Sequence, residues 1–190
     1  IRNNTILITI MAANNEIGVL APLIKIGQLA RDNDIFFHTD ATQAIGYVPI
    51  SVDKMNIDLL SISGHKFYGP KGVGALYVRK ISPRVKIHEQ IHGGGHERGM
   101  RSGTLNVPGI VGLGEAMRIA VKLLPSEVKR LTKLRDKLFA DLKNELENIE
   151  LNGHETYRLP NNLNIYLPNI DARSLIVQLN NRVALSTGSA

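Results

Sequence analysis

The sequence predicts an α/β protein built on an open sheet. Two features carry that expectation: apolar segments of strand length alternate with amphipathic segments of helix length, and two of the strands end in polar residues. Thr5 to Met11 alternates as a strand does, with side chains pointing to opposite faces at a period of two. Pro22, whose fixed φ suits a first helical turn, opens a helix that runs to about Arg31. Ile35 to His38 returns as a strand and completes a βαβ unit. A short helix near Val52 to Met55 leads to the strand Asp58 to Ser61, and Gly74 to Val78 is a further strand beyond the turn at Lys71-Gly72.

Asn106 to Leu123 carries an apolar stripe at Val107, Ile110, Val111, Leu113 and Met117, which predicts a helix ended by Pro125. The next helix starts near Ser126. Its residues Val128, Leu131, Leu134, Leu138, Leu142, Leu146 and Ile149 recur at helical spacing, so this face is expected in core or interdomain packing. Beyond Gly153 follow a strand at Asn164 to Leu167, a helix at Ala172 to Asn180 and a short strand near Val183 to Leu185. The expected division is residues 1–123 in a large domain and 124–190 at the start of a small one.

Composition sets bounds on function. With 43% hydrophobic and 21% charged residues, the 190-residue chain reads as folded rather than disordered. It has no cysteine, which excludes disulfides within it and fits a reducing compartment, the cytoplasm or, in a eukaryote, the mitochondrial matrix. No apolar run reaches the roughly 18 residues of a membrane span, so no membrane is expected. The net charge of +6 is dispersed, and the basic helix residues Lys129, Arg130, Lys133, Arg135 and Lys137 share their helix with Glu127, Asp136, Asp141 and Glu145. Without interleaved aromatic residues this is no nucleic-acid surface, and an acidic protein partner is the better expectation.

Chemistry concentrates at two strand ends. In Asp58-Leu59-Leu60-Ser61-Ile62-Ser63-Gly64-His65-Lys66 an apolar strand runs into a small polar loop that presents one lysine. Open α/β sheets bind ligands beyond the carboxyl ends of their strands, where a shielded lysine can form a Schiff base. Upstream, Ile35-Phe36-Phe37-His38-Thr39-Asp40-Ala41-Thr42-Gln43 is another apolar strand that closes on a carboxylate. Alone, Asp40 reads as a helix N-cap. With Lys66 it matches what pyridoxal phosphate requires, an anion that keeps the pyridine nitrogen protonated so the ring can act as an electron sink. Gln43 could then donate to the phenolic oxygen, and Ser63 and His65 could bind the phosphate.

Four motifs occur in order: Asn14-Asn15-Glu16-Ile17-Gly18, His38-Thr39-Asp40-Ala41-Thr42-Gln43, Ser63-Gly64-His65-Lys66, and the run from Gly93 to Thr104. In them the chain resembles the cysteine desulfurases of the class V aminotransferase superfamily, nearest the branch that serves iron–sulfur cluster assembly. The resemblance implies a pyridoxal-phosphate-dependent transferase of fold type I, like aspartate aminotransferase, with part of the large-domain sheet and part of the small carboxyl-terminal domain. It implies that Lys66 holds the cofactor and later moves protons, that Asp40 and Gln43 contact the ring, and that Ser63 and His65 contact the phosphate. Asn15 would lie near the ring oxygen and the substrate carboxylate, and Thr104 would reach the phosphate site of a neighbouring subunit in a homodimer. L-cysteine would be the substrate, with iron–sulfur scaffold and sulfur-acceptor proteins as partners.

The family pattern also extends beyond both ends of the chain. An amino-terminal phosphate loop and a ring-stacking histidine would precede Ile1, and Leu185-Ser186-Thr187-Gly188-Ser189-Ala190 would lead on a mobile loop into the catalytic cysteine, so the chain reads as an internal segment. Another pyridoxal enzyme of the same fold, such as an aminotransferase or selenocysteine lyase, shares much of the pattern, as would a non-catalytic scaffold. His88, His92 and His96 have helical zinc spacing, but Gly93-Gly94-Gly95 disfavours the helix and no metal is expected. Arg98 and Arg101, in the same loop, suit a phosphate, a carboxylate or a subunit interface. Gly69-Pro70-Lys71-Gly72 is expected to be a rigid turn that buttresses Lys66.

Overall fold

The computed structural model describes residues 1–187, which fall into two compact units. The first comprises Ile1–Ala12 and Pro22–Leu124; the second comprises Ala13–Ala21 and the chain from Pro125 onward. The short early segment in the second unit has no signature in composition or periodicity.

The first unit is built on a four-stranded sheet in the order β1 (Leu7–Met11), β2 (Phe36–Asp40), β3 (Leu59–Ser63) and β4 (Gly74–Val78). The first three strands are parallel and β4 is antiparallel to β3. Helix α1 (Leu23–Asp32) makes the crossover from β1 to β2 and buries Leu23, Gly27 and Ala30 at helical spacing. A Cβ at Gly27 would stand 1.8 Å from the Met55 carbonyl oxygen, so only glycine allows that approach. In β2 the alternation is sharp. Phe37 and Thr39 are fully buried on one face, and burying a phenylalanine contributes about 2–3 kcal/mol. On the opposite face His38 lies between two strands: Nδ1 shares a hydrogen bond with Thr9 Oγ1 at 2.6 Å and Nε2 with Ser61 Oγ at 3.2 Å.

The amino-terminal end of β3 is tied by a buried ionic cluster. Asp58, only 2% exposed, accepts from the Phe37 N–H at 2.9 Å through Oδ2, and its Oδ1 lies 3.3 Å from Arg79 Nε and 3.5 Å from Arg31 Nη2. Arg79 also donates to the carbonyls of Val52 and Ile57. Residues 52–56 therefore form turns rather than the expected short helix, with Asn56 in the left-handed region and the Val52 and Ile57 carbonyls drawn to the guanidinium.

Pro125 does not end a helix. One helix, α2 (Val107–Glu145), runs through it, because strong helix formers on both sides outweigh one missing N–H. The leucine stripe of its second half is only partly covered among the described residues. Leu134 and Leu138 are 53% and 52% exposed, so the expected packing face is not a closed core here. The second unit adds the antiparallel pair β5 (Glu150–Leu151) and β6 (Ile165–Tyr166), then α3 (Ala172–Leu179). Asp171 caps α3 by accepting from the Ser174 N–H at 2.8 Å. Val183 to Leu185 is not a strand; the Arg182 and Val183 N–H groups both turn back to the Leu179 carbonyl. Residues 188–190, where the expected mobile loop would continue, lie outside the described residues. Among those described, no helix is long and apolar enough to cross a membrane.

Candidate functional site

The parallel register sets the site. Met11, Asp40 and Ser61 lie side by side across β1, β2 and β3, so β1 and β2 end in line and β3 ends two residues further on, at the same end of the sheet. The Ala12 N–H donates to the Asp40 carbonyl at 2.8 Å and the Ala41 N–H to the Ser61 carbonyl at 2.9 Å, which carries the pairing past the last strand residues. At that edge Asp40 Oδ1 accepts from the Thr42 N–H at 2.9 Å. Its Oδ2 has no partner among the described residues. Gln43 follows in the turn after β2, half-buried and with its amide uncommitted.

From β3 the chain passes directly into a 3-10 turn, Gly64–Phe67, that carries Lys66. Phe67 is buried and fixes the turn to the core, which leaves Lys66 half-buried and, among the described residues, without an ion-pair partner. Ser63 Oγ lies 2.9 Å from His65 Nδ1, so a hydroxyl and an imidazole meet at the mouth of the turn. Tyr68 closes the turn at φ 67° and is 90% exposed, a non-glycine residue held in the left-handed region beside the lysine.

The turn Gly69 to Gly72 supports this arrangement. The Gly69 N–H donates to the Gly64 carbonyl and the Gly64 N–H to the Val73 carbonyl, both at 2.9 Å. Pro70 rests against α2 where a Cβ on Gly112 would come within 2.6 Å of its ring. Asp40, Gln43, Ser63, His65 and Lys66 are thus gathered at two adjacent strand ends.

Two further expected residues lie on other segments. Asn15 belongs to the second unit, in a loop where Asn14 Oδ1 accepts from the N–H groups of Glu16 and Ile17, each at 2.9 Å. Thr104 is exposed, at the exit of a loop closed on itself. In that loop Ser102 is buried and accepts from Gly95 N–H, while His96 Nδ1 accepts from Gly103 N–H. His88 to His96 form no helix. The sequence assigned no role to His38, whose links to Thr9 and Ser61 join residues 29 and 23 positions apart and leave no short-range signal.

This fold is shared with known enzymes. The chain belongs to the class-V aminotransferase family, whose match extends over residues 1–190. It is 52% identical over 190 residues to cysteine desulfurase IscS of Ehrlichia chaffeensis, and 54% identical over 191 residues to cysteine desulfurase IscS of Methanosarcina thermophila. All of this chain aligns in both cases, against 46% of each relative, so the chain spans about half the length of the curated relatives it matches. Among solved structures it is similar to a NifS-like protein, with a TM-score of 0.89 and 43% identity, covering 95% of this chain and 49% of that one. It is also similar to SspA in complex with cysteine, with a TM-score of 0.76 and 41% identity, covering 100% of this chain and 51% of that one.

The fold expected from the motifs, that of the type I pyridoxal-phosphate-dependent transferases, is the fold of this chain, and pyridoxal phosphate is the cofactor of the family. The residues fit that group. An unpartnered carboxylate oxygen, an amide, a hydroxyl, an imidazole and an unpaired amine at one sheet edge supply the donors and charges that a pyridine ring with a phosphate and an aldehyde requires.

Proposed function

We propose that the protein to which this chain belongs is a cysteine desulfurase, converting L-cysteine to L-alanine and passing the sulfur on for iron–sulfur cluster assembly and other acceptors. The observation that carries the reading is the register of Asp40 with Ser61, which sets a carboxylate and the turn bearing Lys66 on adjacent strand ends. When bound, pyridoxal phosphate supplies an electron sink for the negative charge that develops at the substrate Cα. Lys66 Nζ holds the cofactor and then takes the Cα proton. Asp40 keeps a proton on the pyridine nitrogen, Gln43 donates to the phenolic oxygen, and Ser63 and His65 bind the phosphate. Asn15 donates to the ring oxygen and orients the substrate carboxylate. The substrate sulfur is attacked by a cysteine thiolate outside this chain; a sulfur–sulfur bond forms as the carbon–sulfur bond breaks, the electron pair stays with the substrate, and protons added at its Cβ and returned to Cα give alanine, which leaves.

A homodimer, in which Thr104 serves the neighbouring subunit's phosphate site, suits the exposed position of that residue. A partner with an acidic surface, such as a scaffold or sulfur-acceptor protein, suits a cavity of about 1280 Å³ whose lining includes Lys80, Arg84, Lys86 and Arg98 against the acidic Asp53 and Glu97. The reducing cytoplasm suits a reaction that runs through thiols.

The test uses the chain completed to the length of its relatives. Borohydride reduction is expected to fix the cofactor on Lys66, and L-cysteine alone is expected to yield alanine. Lys66→Ala abolishes both, and Asp40→Ala slows turnover by orders of magnitude while the cofactor still attaches. Label recovered at Lys71, or alanine formed only when a keto acid is supplied, would overturn the reading; the second result would point to an aminotransferase.

A further inference from the structure

The loop that carries Asn15 is held from behind by a segment about 140 residues later in the chain. Within the loop the N–H groups are satisfied locally: Asn14 Oδ1 takes those of Glu16 and Ile17, and the Asn14 carbonyl takes that of Gly18 at 3.1 Å. The carbonyls of Glu16, Ile17 and Gly18 find no partner in the loop itself. All three are bound by residues 158–164. Asn162 Nδ2 donates to the Glu16 carbonyl at 2.9 Å and Asn164 Nδ2 to the same oxygen at 3.2 Å. Arg158 Nη2 donates to the Ile17 carbonyl at 3.3 Å, and the Leu159 N–H to the Gly18 carbonyl at 2.8 Å.

The orientation of these amides is dictated by chemistry. Arg158, 4% exposed, carries donors only, so Asn162 must turn its oxygen to Arg158 Nη2, 3.2 Å away, and its NH₂ to Glu16. Asn164 is fixed in the same sense, with its Oδ1 accepting from Asn152 Nδ2 at 2.8 Å. Gly18 allows the contact. It is buried at φ 72°, and a Cβ there would stand 2.6 Å from Asn162 Oδ1. By contrast the Asn15 side chain makes no hydrogen bond among the described residues. A rigid backbone with one free amide is the form expected of a preorganised contact.

We infer that Asn162 and Asn164, aided by Arg158, are positioning residues that hold the Asn15 backbone so that its amide is preset for the cofactor ring oxygen and the substrate carboxylate. The inference rests on the desulfurase reading for the role of Asn15. It adds a part for the Arg158-Leu159-Pro160-Asn161-Asn162-Leu163-Asn164 stretch, which carries no chemistry of its own.

A double-mutant cycle in the completed chain tests it, read on the affinity of the apo-protein for pyridoxal phosphate and on KM and kcat for L-cysteine. Asn162→Ala is expected to weaken cofactor binding and raise KM about tenfold each, the loss of one or two well-made hydrogen bonds, with kcat little changed. Asn15→Ala is expected to weaken cofactor binding and raise KM at least as much, and the double variant to be no worse than Asn15→Ala alone. If Asn162→Ala does not fold, Asn164→Asp replaces it, since it keeps the acceptor for Asn152 but turns the Glu16 contact repulsive. Full additivity, or wild-type affinity and KM accompanied only by a lower melting temperature, would overturn the inference while leaving the desulfurase reading intact. Failure of the unmutated completed chain to bind pyridoxal phosphate at Lys66 would overturn both.

Discussion

Asp58→Ala is expected to be among the most damaging single substitutions in the first unit, although Asp58 stands at the end of β3 away from Lys66. The carboxylate is buried, accepts from the buried Phe37 N–H and faces the Arg79 guanidinium at 3.3 Å. Removing it leaves that N–H unsatisfied, which costs about 1–3 kcal/mol, and leaves a buried cation with only the exposed Asp53 as counter-charge. Breaking one side of a buried pair costs about 3–5 kcal/mol in all, because the loss of both partners falls on one side chain and the two figures overlap. Arg31, half-exposed at 3.5 Å, adds less than about 1 kcal/mol. Set against a total stability of about 5–15 kcal/mol, the expected change in melting temperature of the completed chain, about twice as long as this one, is on the order of 5 °C. Asp58→Asn separates the contributions, since it keeps an acceptor for Phe37 and loses only the charge, so its cost should be about half as large. Urea and thermal unfolding of the completed chain measure both. A loss below about 1 kcal/mol for Asp58→Ala, or equal losses for the two variants, would refute the reasoning.

Three further outcomes follow from the same contacts. Gly112→Val places carbon atoms inside the Pro70 ring contact, so it should displace the Gly69 to Gly72 turn and weaken cofactor attachment at Lys66 in a borohydride assay; unchanged labelling would sever the turn from the lysine. Pro125→Ala restores an N–H to the interior of α2 and is expected to raise stability by about 1–3 kcal/mol in thermal unfolding, where a loss would count against an uncompensated proline. Asp171 lies below the usual carboxylate range because the Ser174 backbone N–H donates to it. Its folded value is thus lower than its unfolded one, so its support of α3 is complete above the ordinary aspartate value of about 3.9 and fades as pH falls through the lowered value. Amide exchange at Ser174 and Leu175 should speed up over that acid range in the wild type and stay flat in Asp171→Asn.

What the sequence made legible was local. Strand β1 announces itself by alternation, β2 and β3 by apolar runs that end in polar residues, and β4 by the glycine turn before it, while Lys66 and Asp40 stand out because each follows an apolar run by a few positions. Pro125 misled because proline is a local signal, while helix continuity was decided by residues on either side of it. Residues 52–56 misled because the segment is pinned at both ends by Arg79, more than twenty positions away, which takes the Val52 and Ile57 carbonyls. The Asp58 cluster and the support of Asn15 left no trace in any window of sequence, since each joins segments whose proximity exists only after the chain has folded.

That division has a physical basis that bears on function. A strand end can place a carboxylate or an amine to within a residue, because backbone pairing to the neighbouring strand fixes it, and here Asp40 is set by its register with Met11 and Ser61. A loop has no such ladder. The loop of Asn15 instead borrows hydrogen-bond donors from a distant segment, and its geometry is only as good as the fit of Asn162 to Gly18. Substitutions at the strand ends should therefore alter the chemistry directly, whereas substitutions in residues 158–164 should loosen binding with little effect on kcat. The ratio of those two effects, measured in one completed protein, distinguishes residues that perform the reaction from residues that keep its components in place.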